Sequence, residues 1–190
     1  MRKTRKAAAI LTAAAMAAAS AMPVMADEIK DLYDYETQAR EVETWNILHS
    51  QSAADLNVLT NLYDGLVEAD EYGKVVPAIA ESWETEDNGI TWTFHLREGV
   101  KWVDQNGNEK GEVTAQDFLT GLEWILNFHK NDAANTSMPM EMIVGAEDYY
   151  NMTSELDADA GFALTAESPE FADTVGIKAI DDYTLQYTCV

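Results

Sequence analysis

Eight consecutive residues constrain this chain more than any others. Ile90-Thr91-Trp92-Thr93-Phe94-His95-Leu96-Arg97 alternates apolar and polar side chains, the pattern of a strand with one face buried and the other wet. Pro77-Ala78-Ile79-Ala80-Glu81-Ser82-Trp83 precedes it and reads as the partner strand. Asn88-Gly89 lies between the two, a strong hairpin signal because both central residues of such a turn need positive φ. Gly99, Val100, Lys101 and Trp102 continue into a second turn and strand. The alternation alone accounts for Trp83, Trp92, Phe94 and Trp102 as core residues rather than stacking platforms.

The other elements are read around this hairpin. Residues 41–48 hold Val42, Trp45, Ile47 and Leu48 and predict a strand entering the domain. In residues 53–62, Ala53, Leu56, Leu59 and Tyr63 recur at helical spacing, with Ser52 as cap and Gly65 as stop. Residues 66–68 and 74–76 predict short strands around the turn Asp70-Glu71-Tyr72-Gly73. Asp104-Gln105-Asn106-Gly107-Asn108 is another turn. Thr114-Ala115-Gln116-Asp117 resembles a capping box opening a helix to about Phe128, with Phe118, Leu122, Ile125 and Leu126 as its buried stripe. Residues 154–170 are polar, acidic and Ala-rich and predict a loop or frayed helix. Residues 175–180 and 183–190 predict strands joined by Asp181-Asp182, with Tyr183, Leu185, Tyr187 and Cys189 on one face. No internal repeat is present. The chain stops inside this last strand, which reads as the N-terminal part of something longer.

Residues 1–26 read as a secretory signal peptide: basic Arg2, Lys3, Arg5 and Lys6, an Ala-rich apolar run, and Val24-Met25-Ala26 before the expected cut. No Cys follows the apolar run, so a lipid anchor has no attachment atom there. The mature protein is expected free in the periplasm or outside the cell, with no direct membrane insertion. Residues 27–40 read as an acidic mobile leader. Removing the four positive charges of the signal takes the net charge from −22 to −26. That sign is wrong for a nucleic-acid binder or an anionic membrane surface. It reads as a solvated surface, and favours neutral or cationic ligands over anionic ones. Cys189 is the single cysteine, so the fold rests on its core rather than on a disulfide.

Six segments in order resemble the extracellular solute-binding proteins of family 5, the peptide-binding components of ABC importers. They are Asn61-Leu62-Tyr63-Asp64-Gly65-Leu66-Val67, the two hairpin strands at 77–83 and 88–102, Val113-Thr114-Ala115-Gln116-Asp117-Phe118, Ile143-Val144-Gly145-Ala146, and Gly176 to Leu185. The resemblance spans about residue 43 to 190. It implies an α/β fold: the first lobe, with an extra subdomain, of a two-lobed periplasmic-binding-protein-like fold (type II, cluster C), truncated, with residues 41–190 as an incomplete domain. Ligand would bind between lobes that close on it, and a lone half-cleft is expected to bind weakly. There are two departures. Trp45-Asn46-Ile47 stands where the family often has Leu-Asp-Pro, and the acidic residue that pairs the peptide amino terminus in the family lies beyond the matched positions.

The resemblance places Gln51, Ser52 and Ala53 in the segment that contacts the peptide backbone, although Ser52 is also explained as a helix cap. It places Met138, Met140 and Met142 where the first lobe lines the cleft. Methionine suits promiscuous surfaces, although ordinary core or loop packing is the simpler explanation of these residues. His49, His95 and His129 are scattered and lack metal spacing, so no metal and no cofactor is expected. With 34 carboxylates, a glycosidase-like acid and base stays open on counting alone. No nucleophile elbow, HExxH or phosphate loop occurs. Asn135-Thr136-Ser137 and Asn151-Met152-Thr153 match glycosylation sequons and read as chance in an export context of bacterial type. The combined expectation is a non-enzymatic, monomeric protein that captures peptides and delivers them to the membrane permease of an ABC importer. The open alternatives are another solute such as an oligosaccharide, or a secreted carboxylate-dependent hydrolase.

Overall fold

The computed structural model describes residues 41–50, 52–130 and 135–190. The expected signal peptide, the acidic leader and Gln51 lie outside the described residues.

Residues 41–48 form a turn rather than the expected strand. The Thr44 hydroxyl accepts from the Asn46 N–H at 3.1 Å and the Asn46 side chain accepts from the Leu48 N–H at 3.0 Å. Such local side-chain bonds compete with strand pairing for the same backbone groups. Helix α1 (Ala53–Leu59) follows, with the Ser52 hydroxyl accepting from the Ala54 N–H as its cap. It ends three residues before the expected Leu62, because the chain closes into turns in which Asn61 and Leu62 donate to the carbonyls of Val58 and Leu59. Strands β1 (Val67–Ala69) and β2 (Val75–Pro77) pair antiparallel around the expected turn.

The central sheet contains β3 (Ala80–Glu86) and β4 (Thr91–Leu96). Their turn differs from the expected one. Asp87 and Asn88 carry the positive φ of the two central positions, 52° and 59°, Gly89 adds a third at 92°, and the Gly89 N–H donates to the Glu86 carbonyl at 3.0 Å. Asn and Asp tolerate this region because their short side chains bond locally. The loop is therefore one residue out of step with an Asn-Gly turn, and Gly89 eases the chain into β4. Strands β5 (Lys101–Val103) and β6 (Glu109–Glu112) make a separate hairpin, on which Trp102 is 43% exposed rather than core.

Helix α2 (Ala115–Leu126) opens with Asp117 accepting from the Thr114 N–H at 2.8 Å, so aspartate fills the capping-box position. Its buried residues are Ala115, Leu119, Leu122, Glu123 and Leu126, while Phe118 packs partly buried against the core. Helices α3 (Ser137–Met142), α4 (Ala146–Glu155), α5 (Ala158–Ala163) and α6 (Pro169–Ala172) follow, so of the loop or frayed helix expected at 154–170 the structure takes the helical alternative over much of its length. Asp157 caps α5 by accepting from the Ala160 N–H, and Pro169 at the first turn starts α6.

Strands β7 (Ile177–Asp181) and β8 (Thr184–Thr188) complete the sheet in the antiparallel order β3-β4-β8-β7. The pairs Trp83↔Phe94, Phe94↔Leu185, Trp92↔Tyr187 and Ile177↔Tyr187 place these residues on one face. Phe94 meets Tyr187 edge to face, and Leu185 is fully buried with Phe171, Leu126 and Ala146 in one contiguous core. The other face carries Thr93, His95, Thr184 and Gln186, as the alternation requires.

Gly145 has φ 71° and lies so close to the Thr174 carbonyl that a Cβ would stand 2.0 Å from its oxygen. Only glycine fits there. The approach lets the Val144 N–H donate to Thr188 and the Val144 carbonyl accept from Gly176, fixing the end of α3 to the sheet.

Candidate ligand-binding site

Residues that flank the two stretches expected to face ligand, Ser50 and Asn135, are 85 residues apart in sequence and bonded to each other. The Asn135 amide donates to the Ser50 carbonyl at 2.6 Å and to the Leu48 carbonyl at 3.3 Å. Asn135 stands just before α3, which carries the methionines; Ser50 stands just before Ser52 and α1. Buried Ser50 donates from its hydroxyl to buried Asp55 at 3.2 Å, and Asp55 also accepts from the Glu43 N–H at 2.8 Å. His49 is half-buried, and its Nε2 is enclosed with no hydrogen-bond partner among the described residues.

Ser52 is half-buried and its oxygen accepts the cap bond from the Ala54 N–H; a serine hydroxyl also carries one O–H donor. Ala53 is exposed. Met138 and Met142 are 70% and 53% exposed; four residues apart on α3, they share one face. Met140 is half-buried and packs against the core. The methionines therefore divide, with two presented to solvent and one seated inward. The exposed pair makes an apolar, adaptable face on α3.

Sequence reasoning missed Asn135, Ser50 and Asp55. Asn135 stood out there only as a sequon, and its amide is engaged with two carbonyls. In the second sequon, Thr153 is fully buried and bonded to the Tyr150 carbonyl.

Another polar cluster lies inside the fold. Glu123 accepts from Tyr149 at 2.9 Å, from Asn127 at 2.9 Å and from Lys130 at 2.8 Å, and its side chain is 2% exposed. Lys130 also donates to the Leu164 carbonyl and lies over the Trp124 ring. Asn127 reaches the Gly161 carbonyl. Burial, then the charge of Glu123, pushes the Tyr149 phenol far above its usual range. These bonds within the fold brace α2, α4 and α5, while the Trp124 Nε1 beside them is buried without a hydrogen-bond partner among the described residues.

An open groove of about 430 Å³ lies on the sheet side, lined in part by Glu81, His95, Glu98, Asp181 and Asp182. It contains none of the expected site residues. Asp181 is committed to the turn through the Tyr183 N–H and the Thr184 hydroxyl, which hold its carboxyl below the usual range. Among the described residues, no group of three or more His, Cys, Asp or Glu side chains could hold a metal ion, and no helix is long and apolar enough to cross a membrane.

Comparison with known proteins places this geometry. Residues 74–189 match the model of the bacterial extracellular solute-binding proteins, family 5. The chain belongs to that family. It is 35% identical over 158 residues to the oligopeptide-binding protein AliB of Streptococcus pneumoniae, an alignment covering 83% of this chain and 21% of AliB. It thus spans about a fifth of that relative's length. Among solved structures, the substrate-binding domain of an oligopeptide ABC transporter from Bacillus anthracis superposes with a TM-score of 0.60 at 28% identity, covering 81% of this chain and 25% of that one. Listeria monocytogenes OppA bound to peptide gives 0.58 at 27% identity, covering 76% and 24%. The fold is therefore that of OppA-type binding proteins, and the described residues make up part of one lobe.

Proposed function

We propose that this chain is the ligand-facing N-terminal part of an exported oligopeptide-binding protein that delivers peptides to an ABC importer. The observation that carries the reading is the likeness to AliB over most of the chain, since AliB is named for oligopeptide binding. The site chemistry supports it. Gln51, Ser52 and Ala53 would meet the peptide main chain, with the Ser52 hydroxyl as one donor. Met138 and Met142 would form a wall for its side chains, with Met140 supporting that wall from the core side. Main-chain bonds and an adaptable wall accept many sequences, as a nutrient scavenger requires.

In this reading residues 1–26 are an export signal, the mature protein acts as a monomer outside the cytoplasmic membrane, and closure of two lobes presents the loaded form to a permease. No step breaks a covalent bond in the ligand. Isothermal titration of the protein extended to the relatives' length with mixed short peptides tests the reading. Saturable heat is expected. No heat with any peptide, together with binding of an oligosaccharide or turnover of a chromogenic glycoside, would overturn it.

A further inference from the structure

Residues 41–50 belong to no helix or sheet; the His49 and Ser50 N–H groups turn back onto the Asn46 carbonyl, whereas carbonyls of the segment need donors from outside it. Asn135 supplies two. A primary amide has two N–H donors, and both go to carbonyls of this one segment, those of Leu48 and Ser50. It thus does the work of a neighbouring strand, from a point three residues ahead of Met138. Asp55 in turn holds the Ser50 hydroxyl and the Glu43 N–H of the same segment. The segment is held both by an amide ahead of α3 and by a carboxylate from α1.

We propose that Asn135 is a positioning residue that latches Leu48 and Ser50 to the methionine-bearing helix, so that the segment leading into α1 and that helix act as one rigid unit. The proposal rests on the peptide-binding reading for its functional consequence, and on geometry alone for the latch. Aspartate is the decisive substitution. It matches asparagine in shape but sets carboxylate oxygens against two carbonyl oxygens, replacing two attractions with two repulsions. Asn135→Ser keeps a single donor and should have an intermediate effect.

Hydrogen–deuterium exchange on this chain tests the latch. Asn135→Asp is expected to speed exchange about tenfold or more in residues 46–56, with β3, β4, β7 and β8 unchanged. Unchanged exchange in 46–56, or a rise across the whole sheet, overturns the proposal. In the protein extended to the relatives' length, Asn135→Asp should weaken peptide affinity about tenfold and Asn151→Asp, on the exposed side of α4, should not. Faster local exchange with unaltered affinity would refute the positioning role. Absence of peptide binding by the unmutated protein would defeat the functional reading instead, while the exchange measurement still decides the latch.

Discussion

Beneath the β3-β4-β8-β7 sheet, Leu126, Ala146, Phe171 and Leu185 are fully enclosed in one core, whereas residues 41–63 leave Trp45 61%, Leu62 58% and Leu56 41% exposed. Leu59 is the buried apolar residue of α1, and it lies outside that core cluster. The sheet side is held by burial, at about 25 cal/mol per Å² of apolar surface. The N-terminal side is held by Asp55, Ser50, Ser52 and Asn135, through bonds each worth about 0.5–1.5 kcal/mol net. The difference matches the division of labour proposed above. A scaffold can be sealed, but a surface that offers backbone groups to a ligand has to stay accessible and is fixed by directional bonds instead.

The largest expected effect tests the sealed side. Glu123→Ala leaves Lys130, Tyr149 and Asn127 without their shared acceptor in the interior. Breaking one half of a buried ion pair costs about 3–5 kcal/mol, so the urea midpoint should fall far enough to unfold much of the population near 37 °C. A loss under about 1 kcal/mol would mean that water reaches the cluster, and the contrast with the N-terminal side would weaken. Asp55→Ala is the matching test on the polar side. Faster exchange confined to residues 41–60, with little movement of the global midpoint, is expected because such segments open locally. If the midpoint falls as far as it does for Glu123→Ala, the two regions form one cooperative unit and the comparison breaks.

A smaller effect concerns the link between the β5–β6 hairpin and the sheet. Glu112 accepts from the Tyr183 hydroxyl at 2.7 Å, from Lys101 at 2.9 Å and from the Gly99 N–H at 2.6 Å, and these hold its carboxyl at about 2. The same bond to Glu112, with burial, pushes the Tyr183 phenol to about 12. A lowered carboxylate stabilises the fold above its unfolded value of about 4.5, and that contribution is lost as pH falls towards about 2. A raised phenol contributes fully below about 10, and its share is lost as pH rises through about 12. Glu112→Gln should flatten the acid limb of a stability–pH curve by lowering the neutral plateau towards the acid level, because the glutamine carbonyl still accepts from Tyr183 but the charge that meets Lys101 is gone. An acid limb as steep as before would show that other carboxylates govern it.

The sheet side was also the legible side. Alternation at 90–97 located β4, its buried face and the hairpin, because a period of two admits few other structures. Capping by Ser52 and by Thr114 with Asp117 was readable for the same local reason. Where reading failed, a nonlocal or side-chain bond decided the outcome. Thr44 and Asn46 turned the expected strand at 41–48 into a turn, and Glu123 stayed inside an apolar stripe because Lys130, Asn127 and Tyr149 converge on it. Asn135 was invisible as a latch, since nothing near it in sequence reports a carbonyl 85 residues away. Short acidic helices at 146–163 have little periodicity to detect, and caps and packing fix them rather than pattern.

Ser52 carries the subtlest of these tests, because its cap and its proposed ligand contact use the same hydroxyl. Replacing a serine cap by alanine costs about 1 kcal/mol, whereas glycine costs only a few tenths. Ser52→Ala should therefore fray α1, visible as faster exchange at Ala54 and Asp55, and Ser52→Gly should leave the helix nearly intact. If the O–H also donates to a peptide, both variants lose that bond, and both should weaken peptide affinity to a similar degree in the extended protein. Affinity that falls with alanine but not with glycine would make Ser52 a cap alone. The wet side of the comparison would then owe its ligand contacts to its backbone groups and not to this side chain.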